Sequence, residues 1–170
     1  MSPETIQKIK QNFLLTMWDF IPDIHQQQEE FAKAFIDIML NTIPDYGKCR
    51  PTVIPVRCGI GKTVCIQAFL STLDSMHINN IGVIVITDSL DRLKILSKGE
   101  HINSWCDENE SYAHKSAYIR SRSDDGEILP PMKKQLSFAR YKQFVFVSSQ
   151  KIKDLDDSEL QDLLTYHYND

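Results

Sequence analysis

No stretch of about 18 consecutive apolar residues occurs in this 170-residue chain, and no cleavable apolar leader opens it. The sequence therefore offers neither a membrane-spanning helix nor a secretory signal. None of the four cysteines (Cys49, Cys58, Cys65, Cys106) stands in a C-x-x-C pair, and no spacing joins them to the five scattered histidines. A structural zinc site and a disulfide framework are both excluded on that pattern, which leaves small buried or half-buried thiols in a reduced, cytoplasmic setting. An excess of positive charge is missing too. The formal net charge is -4 and the sequence pI about 5.7, so a dominant basic field cannot be what holds a nucleic acid, although a local groove still could. No internal repeat or low-complexity tract appears. The hydrophobic share of 42% and charged share of 25% are those of an ordinary globular protein, and the length suits one domain with a sizeable core.

What is present is concentrated in eight residues, Val56-Arg-Cys-Gly-Ile-Gly-Lys-Thr63. An apolar run (Val53, Ile54, Val56) leads into them and an amphipathic helical pattern leaves them, which predicts strand, loop and helix in that order. A triphosphate is an extended polyanion, so its site needs several backbone N-H groups converging on it. Gly59 and Gly61 let the chain curl closely around it, with Ile60 between them. Lys62 supplies a point charge for the β- and γ-phosphates, Thr63 a hydroxyl for Mg2+, and the helix that starts there its positive dipole end. ATP and Mg2+ are the expected ligands.

Around this loop the pattern alternates. Ser2-Pro3-Glu4 reads as a capped helix start, with Ile6, Ile9, Phe13, Leu14 and Met17 on one face and Pro22 as the stop. A second helix is expected over Gln26 to Leu40, with Phe31, Ala34, Phe35, Ile38 and Met39 as its apolar stripe. The helix after the loop runs to about Met76, with a turn at Asn79-Asn80. Ile81 to Ile86 is a near-continuous apolar run, as in a strand covered on both faces. Leu90 to Leu96 suggests a helix, Ala117 to Ile119 a short strand and Phe144 to Val147 a buried one; Ser121 to Pro131 is turn-rich, and Asp154 to Tyr168 is acidic and weakly amphipathic. Strands alternating with helices predict an open α/β parallel sheet with helices on both faces, preceded by N-terminal accessory helices, with the ligand at the carboxyl ends of the strands.

The usual phosphate-loop pattern has glycine where this chain has Val56. A loop reading A-x-x-G-x-G-K-T with a small or aliphatic first residue fits better, and in this the segment resembles motif I of the superfamily-two helicases. Three further stretches are similar to motifs of that family. Gln28-Glu-Glu-Phe-Ala-Lys-Ala-Phe35 resembles the helix that carries an adenine-reading glutamine, although Phe31 stands where the family has alanine. Gln28 keeps the following residues in phase, whereas His25-Gln26 better matches the residue that usually comes before, so the choice among Gln26, Gln27 and Gln28 stays open. Val83 to Leu90 resembles motif Ia, without its proline and with Asp88 after Thr87. Phe144 to Ile152 resembles the later strand ending in T-P-x-x-L, with Ser148 and Ser149 replacing Thr-Pro.

The resemblance implies a P-loop NTPase with a RecA-like sheet, in which Thr87, Ser148 and Ser149 meet the backbone of DNA or RNA. It implies an accessory helix at residues 1–22 and a partial ATP-binding domain at 23–170 that stops before the Asp-Glu of motif II. Asp107-Glu108, the sole Asp-Glu pair, follows polar residues and reads as a loop. The chain alone is then expected to bind ATP with little or no turnover, the intact protein hydrolysing it against a second motor domain. Two alternatives remain open: a nucleotide-sensing or assembly module that binds ATP without hydrolysing it, and a compact NTPase in which Asp88 orients the metal. In the second, Asp88 ends an apolar strand; the competing reading makes it the cap of the next helix.

Overall fold

The computed structural model describes residues 1–42, 59–89, 96, 112–119 and 131–164. The chain divides into two compact units, Met1–Ile78 and Asn79–Asp170.

The first unit is helical. Helix α1 (Pro3–Phe20) starts as expected, with Ser2 at the cap accepting a hydrogen bond from the Thr5 N-H at 3.2 Å and proline in the first turn. It ends before Pro22. Its buried residues Ile9, Phe13, Met17 and Phe20 recur every three or four positions and form one inward stripe; Ile6 and Leu14 flank it. Helix α2 (Gln26–Thr42) buries Phe31, Ala32, Ile36 and Leu40, with Phe35, Ile38 and Met39 half-buried beside them. The expected stripe is thus turned by part of a helical turn, and Ala34 faces solvent. Placing Ile36 and Leu40 inward hides more apolar surface than placing Ala34 there, which decides the rotation.

Helix α3 (Lys62–Ser75) is buried around most of its circumference, through Cys65, Gln67, Ala68, Phe69, Leu70, Thr72 and Leu73. Four aromatic rings tie the three helices together. Phe35 of α2 stacks on Phe13 of α1 with centroids 6.0 Å apart and meets Phe69 of α3 edge-on at 6.4 Å, while Phe31 lies 6.2 Å away on its own helix. Each such pair contributes about 0.5–1.5 kcal/mol beyond area burial, so Phe35 is the hub that fixes α3 against its neighbours. At the far end of α3 the Asn12 amide donates to the Met76 sulfur at 3.3 Å. The helix closes in a Schellman motif: the Ile78 N-H donates to Leu73 O and the His77 N-H to Asp74 O, both at 2.9 Å. His77 takes the left-handed position at φ 54° where glycine is usual. The turn expected at Asn79-Asn80 therefore begins earlier, at Met76-His77.

The second unit is a small α/β layer. Strands β1 (Val83–Thr87), β2 (Ser116–Ile119, preceded by a 3-10 turn at Tyr112–Lys115) and β3 (Phe144–Ser148) form a parallel sheet in the order β1-β3-β2. The register pairs Ile84 and Ala117 with Val145, Val85 and Tyr118 with Phe146, and Ile86 and Ile119 with Val147. One face is built from Ile84, Ala117, Ile119, Val145 and Val147. Helices α4 (Met132–Ala139), α5 (Ser149–Asp154) and α6 (Asp157–Leu164) cover it with Met132, Leu136, Ala139, Ile152 and Leu163, joined by Leu155. The opposite face is also closed, with Phe144 and Phe146 fully buried and Val85 nearly so. Tyr112 meets the Phe144 ring edge-on at 5.5 Å.

Burial on both faces is what the apolar runs at Ile81 and Phe144 predict. Ile86 departs from that expectation: it is 53% exposed, at the carboxyl end of β1. At the other end of the sheet, buried Gln143 ties the strands. Its side-chain amide donates to Ile81 O at 3.1 Å, and its own carbonyl accepts from the Val83 N-H at 2.8 Å. The apolar strand expected at Val53 to Val56, the helix at Leu90 to Leu96 (apart from buried Leu96), Asp107-Glu108 and all but the last residue of Ser121 to Pro131 lie outside the described residues.

Candidate functional site

The loop singled out by its sequence enters α3 through two left-handed glycines. Gly59 has φ 85° and Gly61 φ 96°, values at which a Cβ would crowd the following carbonyl. Two such residues around Ile60 bend the backbone so that it curls rather than extends, and Gly61 becomes the N-cap of α3. The first ladder bond runs from the Cys65 N-H to Gly61 O at 2.9 Å. Helix geometry gives the earlier amides of that turn no intrahelical carbonyl, and Gly61 makes no side-chain cap. An anion is the natural partner for donors arranged this way. Lys62 is exposed and Thr63 half-buried at this helix start. Val56, Arg57 and Cys58, the first half of the motif, lie outside the described residues.

Space around the glycines differs. Among the described residues a Cβ on Gly59 would meet nothing within 4 Å, and one on Gly61 would meet the Ile21 Cδ1 at 3.8 Å, ordinary contact. Both positions are therefore reserved for glycine by torsion and not by crowding. The contact also places the turn between α1 and α2 beside the loop. Ile21, which no motif in the sequence marks, is thus a neighbour of the Gly59–Thr63 loop; its signal in the sequence was only its place just before Pro22.

Gln28 lies in the first turn of α2. Its side-chain oxygen accepts from the His25 N-H at 3.0 Å, and its own N-H donates to His25 O at 2.9 Å. This is the glutamine half of a capping box. The bond uses one lone pair of the amide oxygen and neither of the Nε2 protons. Gln26 donates to Glu30 at 2.8 Å, and Gln27 is exposed.

The residues expected to meet a nucleic-acid backbone belong to the second unit. Thr87 and Ser148 are register partners at the carboxyl ends of β1 and β3, and Ser149 opens α5 next to them. Both hydroxyls already have local work: Thr87 Oγ1 accepts from the Ser89 N-H at 3.4 Å, and Ser148 Oγ accepts from the Lys151 N-H at 3.1 Å as the cap of α5. Asp88 follows β1 and is exposed.

Of the cysteines, Cys65 is described, and it is buried in α3 two positions after Thr63. Burial pushes its thiol up to about 12, which makes it inert. His25, His77 and His114 are exposed, as scattered surface histidines should be. Among the described residues no group of His, Cys, Asp and Glu could hold a metal ion, and no helix is long and apolar enough to cross a membrane. Comparison with protein-family models, curated proteins and solved structures returned no match to the chain.

Proposed function

We infer that the chain binds the polyphosphate tail of ATP, with Mg2+, at the loop Gly59 to Thr63, as the N-terminal motor domain of a helicase-like, nucleic-acid-dependent ATPase with a RecA-like fold. The observation that carries the reading is the pair of left-handed glycines ending in an N-cap without a side chain, immediately before Lys62-Thr63. Glycine is an ordinary N-cap, but here it sits in the left-handed region with a second left-handed glycine two residues before it, which curls the backbone in the way that backbone amides must converge on an anion. The three-stranded parallel sheet with covered faces is compatible with the RecA-like architecture.

In this reading the curled amides hold phosphate oxygens, Lys62 neutralises the β- and γ-phosphates, and the Thr63 hydroxyl faces Mg2+. The metal would supply charge neutralisation across the phosphates. Gln28 reads adenine with the Nε2 protons and the remaining lone pair that its cap leaves available. Thr87, Ser148 and Ser149 offer hydroxyls to a nucleic-acid backbone where open α/β sheets receive ligands, at the carboxyl ends of the strands. The 170 residues hold no Asp-Glu pair at the end of an apolar run, so this chain binds ATP with little or no turnover.

Calorimetric titration with MgATP tests the reading. Lys62→Ala removes a charged partner of the phosphates, and a loss of about 10- to 100-fold in affinity is expected from the 1.5–3 kcal/mol of such a bond. Equal binding by both proteins, or none by the unaltered chain, would overturn it.

A further inference from the structure

The outward side of α4 and the turn after it carries a surface that the nucleotide reading leaves unused. Leu136 and Ala139 point into the second unit's core, while Lys133, Lys134, Ser137, Phe138 and Tyr141 are all exposed. Two large rings stand out in water here: Phe138 is 57% and Tyr141 53% exposed. Each is backed by a cation, with the Lys142 Nζ 4.9 Å from the Phe138 centroid and the Arg140 guanidinium carbon 5.8 Å from that of Tyr141. Residues 132–143 contain four cations, Lys133, Lys134, Arg140 and Lys142, and no acid, in a chain whose net charge is -4. Among the described residues Asp162 comes within 3.7 Å of one nitrogen of Arg140.

These features suit one kind of ligand. An acidic protein or a phospholipid surface would also be drawn by the lysines and could bury the rings, but neither calls for a cation held beside each ring. Unpaired bases need both, a π-face to stack on and cations for the phosphates between them. Phe138 and Tyr141 are three residues apart, and Lys134 lies one turn before Phe138 on the same side of the helix, so a cation and two rings follow one another along that side and the turn after it.

The location sets this surface apart from Thr87 and Ser148. Tyr141 comes just before β3 begins, and the Lys142 Nζ donates to His114 O at 2.7 Å, beside the start of β2. The two rings therefore lie toward the amino ends of the strands, about 13 Å of strand from their carboxyl ends for four steps of 3.3 Å, while Lys133 and Lys134 stand in the first turn of α4, at the helix end away from Tyr141. We propose that the α4 face, through Phe138 and Tyr141 with Lys133 and Lys134, is a second contact site for single-stranded nucleic acid, independent of the carboxyl edge of the sheet and of ATP.

The test uses the full chain and fluorescein-labelled dT20 and U20, with polyglutamate and heparin as base-free polyanions. The double variant Phe138→Ala, Tyr141→Ala should lose at least about tenfold in affinity for the oligonucleotides, at the low end of stacking on two rings. Both rings are exposed, so its thermal unfolding should match the parent's. Lys133→Gln with Lys134→Gln should lower the salt slope of log K by about 1 to 2. Adding Thr87→Ala and Ser148→Ala to the ring substitutions should change the affinity additively, as for two separate sites. The proposal is overturned if neither oligonucleotide binds, if binding responds only to Thr87 and Ser148, or if polyglutamate and heparin bind as tightly and the ring substitutions change nothing. The last result would assign the face to acidic partners in general. Failure of ATP binding would leave these outcomes unaffected.

Discussion

Thr87 and Ser148 face each other across two parallel strands, register partners at the point where β1 and β3 both end. Each hydroxyl accepts a bond from a backbone N-H a few residues ahead, so each helps turn the chain out of the sheet. The two residues that the sequence nominated separately for one surface are thus neighbours in fact. Ser148→Ala removes the cap of α5, and a loss of about 0.5–2 kcal/mol is expected in urea unfolding. A variant as stable as the parent would mean that the bond to the Lys151 N-H contributes nothing.

Gln28 carries two roles in this account, and they separate experimentally. As the returning half of a capping box it stabilises the start of α2, so Gln28→Ala should cost about 0.5–1 kcal/mol in unfolding. As the adenine reader it should also give ATP its advantage over GTP, which the same variant erases while affinity for triphosphate in general persists. If the preference survives Gln28→Ala and disappears in Gln27→Ala or Gln26→Ala, the reading residue is the neighbour.

Gln143 is buried and joins the entrances of two strands through its side chain and its backbone. Truncating it to alanine leaves the Ile81 carbonyl without that donor, at an expected cost of about 1–3 kcal/mol. Urea denaturation read by circular dichroism checks this, and a change under about 0.5 kcal/mol would contradict it.

Cys65 reports on the helix behind the phosphate loop. Burial pushes its thiol from 9.0 to about 12, so the native state holds this proton more tightly than the unfolded chain does. The contribution to stability is accordingly complete below pH 9.0 and is lost as the pH climbs from there toward about 12. In a variant with Cys49, Cys58 and Cys106 changed to serine, alkylation at pH 8 should be slow, and unfolding stability should fall between pH 9 and pH 10.5. Fast labelling of the native protein would show that α3 opens readily.

Much of this architecture was legible because it rests on local physics. Ser2-Pro3 marks a helix start by satisfying and removing orphan N-H groups, and the apolar runs at Ile81 and Phe144 mark strands because a doubly covered strand has no polar face. The rotation of α2 was not legible: Ala34 and Ala32 are equally apolar, and which one faces inward depends on Ile36, Leu40 and the ring cluster around Phe35. Helix α4 was missed altogether, since Met132, Leu136 and Ala139 give it a thin stripe and its remaining surface reads as polar loop. The two left-handed glycines before α3 were legible in the glycine spacing, but the Ile21 contact that sets the α1-α2 turn beside them is tertiary and leaves no trace in sequence. The pairing of Thr87 with Ser148 likewise needs the strand order β1-β3-β2, which no local pattern encodes.

The central claim, that a polyphosphate lies against the curled backbone of Gly59 to Thr63, is most directly tested by following backbone amide resonances during titration with MgATP. The account predicts large shifts at Gly59, Gly61 and Thr63, reproduced by inorganic triphosphate and absent with adenosine. Shifts confined to other parts of the chain, or none at these three amides at saturating ligand, would contradict it.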